Sequence, residues 1–141
     1  MAVRPIAEDL FTWPAEVPQL IGNSCANCGT VTFPRRTGCG RCGSTDVEPR
    51  TLQSTGTLWS WTSQGFVPKA PFIGELIAGN EPWFVGVIEL AGEVRVESLL
   101  TGVTVDSLRI GMPMRLVIIP FHADDSGDEI ITYAFAPADA A

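Results

Sequence analysis

All four cysteines of the chain lie in one stretch, CANCGTVTFPRRTGCGRCG, from Cys25 to Gly43. They form two C-x-x-C pairs, Cys25/Cys28 and Cys39/Cys42, with ten residues between them. A tetrahedral zinc site needs four soft donors converging at about 2.3 Å. A C-x-x-C turn places two sulfurs on one side of a metal, and a second such turn, brought back by a hairpin, supplies the other two. Gly29 and Gly43 each follow the second cysteine of a pair. Glycine there permits the tight turn that aims backbone N–H groups at sulfur. The pattern points to structural zinc held by Cys25, Cys28, Cys39 and Cys42. Two other chemistries fit poorly. A thioredoxin-like centre needs one C-x-x-C opening a helix, and neither pair has a helical flank. Catalytic zinc keeps a position open for water, and four thiolates fill the shell. The metal then substitutes for a core that a short hairpin cannot build, and that hairpin should need it to fold.

Few other side chains could do chemistry. The single histidine, His122, sits in PFHADD without a base, nucleophile or metal ligand placed beside it. Tyr133 lies inside a predicted strand and reads as barrel wall. Asp124, Asp125, Asp128 and Glu129 surround Ser126 and Gly127, but their spacing does not match a calcium loop. There is no G-x-S-x-G, no phosphate-binding glycine loop and no H-E-x-x-H. A stand-alone enzyme is hard to build from this inventory.

The elements that must hold the cysteines follow from composition and pattern. The chain has 141 residues, 45% hydrophobic and 18% charged, which fits one domain with ample core material. The N-terminus MAVRPIAEDLFTWP has no apolar signal region, and no apolar run approaches the roughly 20 residues of a membrane helix. The expected location is the cytoplasm, where paired cysteines are metal ligands or redox centres more often than disulfides. A net charge of −7 repels phosphate backbones and argues against nucleic acid as the main partner. Arg35, Arg36, Arg41 and Arg50, four of the nine basic residues, cluster in or after the cysteine segment. A tetrathiolate zinc site carries a charge of about −2, so nearby arginines are expected without any further ligand.

Residues 1–24 form an arm that Pro14 and Pro18 limit to short helical pieces. Residues 25–50 are the zinc ribbon. From 51 to 137 the pattern is β. TGTLWSWTSQ alternates, with Trp59 and Trp61 expected on one face. WFVGVIEL and EVRVESLL flank a tight turn at Ala91–Gly92, with Val94, Val96 and Ser98 on one face of the second run. MRLVIIP and EIITYAFAP complete five strands, which fits a small Greek-key barrel of the OB type, with a sandwich fragment as the main structural alternative. The connection from Gly65 to Pro82 is eighteen residues long and rich in apolar side chains. Such loops are uncommon inside compact domains. It reads either as a helical cap on the barrel or as a segment that contacts a partner.

These pieces together resemble the DUF35 family of zinc-ribbon plus OB-fold proteins, from about residue 10 to 137. The resemblance is carried by C-x-x-C-G, by Pro34–Arg35 before the second cysteine pair, by GTLWSWT from Gly56 to Thr62, and by GMPM from Gly111 to Met114. Many members have proline directly after the third cysteine, where this chain has Gly40. The resemblance implies a mainly β fold: an N-terminal arm with a short helix, a rubredoxin-like zinc ribbon and a five-stranded OB barrel. It also implies a non-catalytic accessory subunit in a hetero-oligomer with a thiolase-superfamily enzyme, a thiolase or a retro-aldolase. That enzyme would act on acyl-CoA thioesters, and the small subunit would stabilise it and help form the substrate channel. The Ala-, Gly- and Arg-rich composition, with one lysine, suggests a high-GC bacterium and so the steroid side-chain branch of that chemistry. Phe11, Trp13, Phe66, Phe72 and Ile73 are then expected to face the partner or the channel. The alternatives are direct acyl-CoA binding by this chain and a single-stranded nucleic-acid module that stacks bases on Trp59 and Trp61.

Overall fold

A computed structural model describes residues 3–7, 10–64, 83–123, 125 and 127–138, with the backbone alone at Gln64 and His122. Nine strands form among them: β1 (Val3–Pro5), β2 (Ile21–Cys25), β3 (Val31–Thr32), β4 (Val47–Thr51), β5 (Thr55–Gln64), β6 (Trp83–Leu90), β7 (Val94–Leu100), β8 (Pro113–Ala123) and β9 (Glu129–Pro137). No described residue is helical. Phe66, Phe72 and Ile73 lie in the 65–82 connection, outside the described residues.

The five expected β runs are β5 to β9. They pair in the order β5-β6-β7-β9-β8, and β8 pairs again with β5 to close a barrel. The one parallel contact in that ring is Leu100 on β7 against Phe135 on β9. This is the OB order, in which the third strand meets the fifth. Alternation decides which side chains fill it. On β7, Val96, Ser98 and Leu100 are buried while Arg95 and Glu97 face outward. Leu58, Ile88, Leu90, Met114 and Phe135 meet them inside. Burying side chains of this size contributes roughly 1.5–3 kcal/mol each.

The barrel wall is closest at Gly56 on β5. A Cβ there would stand 2.5 Å from the Glu89 carbonyl oxygen and 2.9 Å from the Ile88 and Leu90 side chains. Only a residue without a side chain lets β5 approach β6 that nearly.

Three expectations change. The first concerns the short helix in the arm. Residues 10–21 instead form a loop closed on itself, with a bridge between Phe11 and Leu20. Thr12 N–H donates to the Gln19 carbonyl at 2.8 Å, and Ile21 N–H to that of Leu10 at 2.9 Å. Pro14 and Pro18 lack the N–H groups a helix would use, so the backbone is satisfied across the loop.

The second concerns Phe11 as a partner-facing residue. It is 4% exposed and packs in the chain's own core with Leu20 and Leu52. Its bridge to Leu20 turns the ring inward.

The third concerns the two tryptophans. A β-bulge shifts the register between Leu58 and Ser60 and leaves Trp59 as the extra residue. Trp59 is 49% exposed, whereas Trp61 is half-buried against the core, opposite Gly86. The bulge breaks the alternation on which a shared face depended.

The close approach at Gly56 yields a test. Gly56→Val should destabilise the chain by about 2–3 kcal/mol through overpacking, read as a lower urea midpoint with an unchanged slope. An unaltered midpoint would mean that β5 and β6 are not in this contact.

Candidate metal centre

The first cysteine pair leaves a strand and the second hangs in a loop. Cys25 ends β2, which lies between β3 and β4 in an antiparallel sheet. The chain turns at once, with Gly29 N–H on the Cys25 carbonyl at 2.8 Å and Cys25 N–H on that of Thr30 at 2.9 Å. The second knuckle repeats this pattern. Gly43 N–H meets the Cys39 carbonyl at 2.9 Å, and Cys39 N–H meets that of Ser44 at 2.8 Å. Gly29 and Gly43 both adopt φ of 78°, the left-handed region where a side chain would be strained.

The four Sγ atoms lie within 4.8 Å of one another. Cys25 to Cys42 and Cys28 to Cys39 are each 3.6 Å apart. Four bonds of about 2.3 Å to one zinc ion require a tetrahedron edge of about 3.8 Å. The spacing therefore suits a shared metal, and all four thiols are free of disulfides.

Around Cys28 and Cys42 the surroundings favour thiolate, the form that binds metal, whereas burial and the neighbouring Cys42 and Cys28 thiols push the Cys25 thiol up. The Thr30 hydroxyl, 3.1 Å from Cys28 Sγ, and then the Thr30 backbone pull the Cys28 thiol down to about 6. The Asn27 side-chain amide, 3.5 Å from Cys42 Sγ, and the Ser44 backbone lower Cys42 as well. Cys39 Sγ accepts from the N–H groups of Arg41 at 3.4 Å and Cys42 at 3.5 Å. Zinc bound here is structural: it supplies cross-linking and carries no open coordination position.

Several residues that hold the ribbon in place gave no signal in the sequence. Asn23 is buried on β2; its Oδ1 accepts from Arg35 Nε at 3.2 Å and its Nδ2 donates to the Arg36 carbonyl. Arg50 reaches away from the metal to Glu93, with Nη2 at 3.0 Å from Oε2. The Glu93 side chain is only 6% exposed and also accepts the Gln53 N–H at 2.9 Å. It thus ties the ribbon's last strand to the β6–β7 turn. Of the clustered arginines, Arg35 and Arg50 serve these structural contacts.

A second tie is aromatic. Phe33, from the hairpin between the cysteine pairs, sets its ring edge-on to Tyr133 of β9, with centroids 5.6 Å apart. The Tyr133 hydroxyl donates to the Glu97 carbonyl at 3.0 Å. Burial, and then the Glu97 charge, push the Tyr133 phenol up to about 12. Of the remaining expected site residues, Trp13 is 39% exposed on the arm.

Two glycine knuckles on a three-stranded sheet, tied to a barrel in OB order, define a structural zinc ribbon joined to an OB fold. Residues 12–48 match the family model of the ChsH2 rubredoxin-like zinc ribbon domain, and residues 49–118 that of the ChsH2 C-terminal OB-fold domain. The chain belongs to this DUF35 family. A DUF35 domain-containing scaffold protein of Methanocaldococcus jannaschii is 29% identical over 117 residues, 82% of this chain and 78% of that one. The benzoylsuccinyl-CoA thiolase subunit BbsA of Thauera aromatica is 29% identical over 130 residues, 90% of this chain and 83% of its own. The solved Ltp2-ChsH2(DUF35) aldolase matches with a TM-score of 0.63 at 28% identity, over 85% of each chain.

Two measurements follow. Metal analysis should give one zinc per chain, and Cys39→Ser should reduce it to near zero with a lower melting temperature. A metal-free chain of unchanged stability would remove the zinc assignment. Absorbance titration of the single tyrosine should show a midpoint of about 12 folded and about 10 in denaturant. Because the folded value is the raised one, this contribution to stability is complete below pH 10 and is lost as pH rises toward 12. A folded midpoint near 10 would mean that Tyr133 is open to water.

Proposed function

We propose that this chain is a non-catalytic accessory subunit that binds and stabilises a thiolase-like enzyme acting on acyl-CoA thioesters. The observation that carries this reading is the likeness of one chain, through both its domains, to the DUF35 aldolase structure and to a thiolase subunit. The chemistry of the site supports it. Four thiolates close the zinc shell, so the metal serves shape and leaves the reaction to another chain.

The finer reading is a retro-aldolase or thiolase partner in steroid side-chain degradation, working in the cytoplasm. The small subunit forms one wall of the substrate channel and touches acyl-CoA through the complex. Trp13, 39% exposed on the arm, is the described residue that this reading assigns to docking. Phe66, Phe72 and Ile73 complete the proposed contact. The nucleic-acid alternative loses its stacking platform, because Trp59 and Trp61 face opposite sides of the wall and Arg95 already covers Trp59 at 4.2 Å.

Co-expression with a thiolase-like chain from the same source should raise that chain's soluble yield and give one co-eluting species. Trp13→Asp should cut recovery of the complex about tenfold or more, while the melting temperature of the small subunit moves by less than about 4 °C. Unchanged recovery with Trp13→Asp would take the arm out of the interface. Failure of every thiolase-like chain to co-elute would overturn the reading itself.

A further inference from the structure

Between the ribbon and the outside of the barrel runs a groove of about 670 Å³. That is within the range of roughly 300–1,000 Å³ for binding pockets. Three aromatic rings line it: Phe33 from the ribbon, Trp83 from the start of β6 and Tyr133 from β9. The Glu97 side chain on β7 lies in the same lining.

The groove lining holds one cation and one anion, Arg95 and Glu97, and they are not paired with each other. Its one cation, Arg95, is already engaged, with Nε 3.1 Å from Glu89 Oε2 and its guanidinium 4.2 Å over the Trp59 ring. Glu97 has no basic partner among the described residues. Its backbone carbonyl takes the Tyr133 hydroxyl, and no described residue hydrogen-bonds or ion-pairs with its carboxylate. A carboxylate with no ion-pair partner among the described residues, beside three aromatic rings of which Phe33 and Tyr133 pack edge-on, suits a flat cation with an apolar stem. Aromatic faces attract a guanidinium through their quadrupole, a carboxylate accepts two of its N–H groups, and the methylene stem covers apolar wall. A lysine ammonium would pair with the carboxylate but could not stack.

We propose that this groove receives an arginine side chain of the partner subunit, stacked among Phe33, Trp83 and Tyr133 and paired with Glu97. The proposal deepens the accessory-subunit reading, on which it rests for the source of the arginine. It also gives the zinc a role at the interface. One wall of the groove is ribbon, so the arginine site exists only when the metal has folded that ribbon. The raised Tyr133 phenol fits the same geometry, since a cation bound at Glu97 would relieve part of the charge that raises it.

The test uses the full, zinc-loaded chain and needs no partner. Blocked arginine (N-acetyl-arginine amide) is titrated in by NMR, with the neutral isostere N-acetyl-citrulline amide as control. Arginine should shift the amides of Phe33, Trp83, Glu97 and Tyr133, and citrulline should not. Glu97→Gln should weaken arginine binding about tenfold, a loss of about 1.4 kcal/mol. Asp106→Asn, in the β7–β8 connection, should leave it unchanged. Glu97→Gln keeps the backbone carbonyl that Tyr133 uses, so the fold is preserved, and it should move the tyrosine midpoint down from about 12. Equal shifts with citrulline, or no effect of Glu97→Gln on either readout, would overturn the proposal. Those results would leave the accessory-subunit reading standing, because that reading is judged by co-elution with a thiolase-like chain.

Discussion

Four sulfurs have to meet at one point, and most of the N-terminal third is arranged so that they can. Cys25 stands at the end of β2 and Cys28 one turn beyond it. Cys39 and Cys42 return on a second knuckle with the same hydrogen bonds and the same glycine conformation. The three strands of the ribbon are two to five residues long and could not fold on their own apolar area. Zinc is the cross-link that makes them one body. Once they are fixed, Phe33 is delivered to Tyr133 and Arg50 to Glu93, and the ribbon has a defined seat on the barrel.

That seat is built from mixed parts. Leu20 and Leu52, at the two ends of the ribbon, are fully buried in the same core as Leu58 and Phe135 of the barrel. The Glu93 carboxylate is nearly buried and takes donors from Arg50 and from the Gln53 backbone, so its charge is compensated where it sits. The result is one continuous core with a polar clasp and an aromatic contact at its margin. A hinge between ribbon and barrel has little room to operate in such an arrangement. The surfaces on either side of the joint are therefore held in a fixed relation.

Local patterns were legible in the sequence, and long-range pairings were not. Two C-x-x-C-G knuckles announced the metal because the ligands and their turn residues are neighbours in the chain. The alternation of Val94, Val96 and Ser98 announced a half-buried strand, and the structure buries Val96 and Ser98. The inward turn of Phe11 was hidden because it depends on a bridge to Leu20, nine positions on, around two prolines. The split of Trp59 from Trp61 was hidden because a bulge in a β-rich run leaves no mark in composition. Glu93 was hidden because its partner Arg50 is 43 residues away. The arginine cluster near the cysteines looked like a response to the metal charge, yet two of its members serve the buried Asn23 and Glu93.

Family membership, a closed zinc shell and the relatives' place in thiolase and aldolase assemblies converge on an accessory role. The most direct measurement is native mass spectrometry of the tagged protein purified from its source organism. The account predicts one species much heavier than the 15.1 kDa chain, containing a thiolase-like chain in fixed ratio and one zinc for each small subunit. Recovery of the chain alone, or bound to nucleic acid, would contradict it.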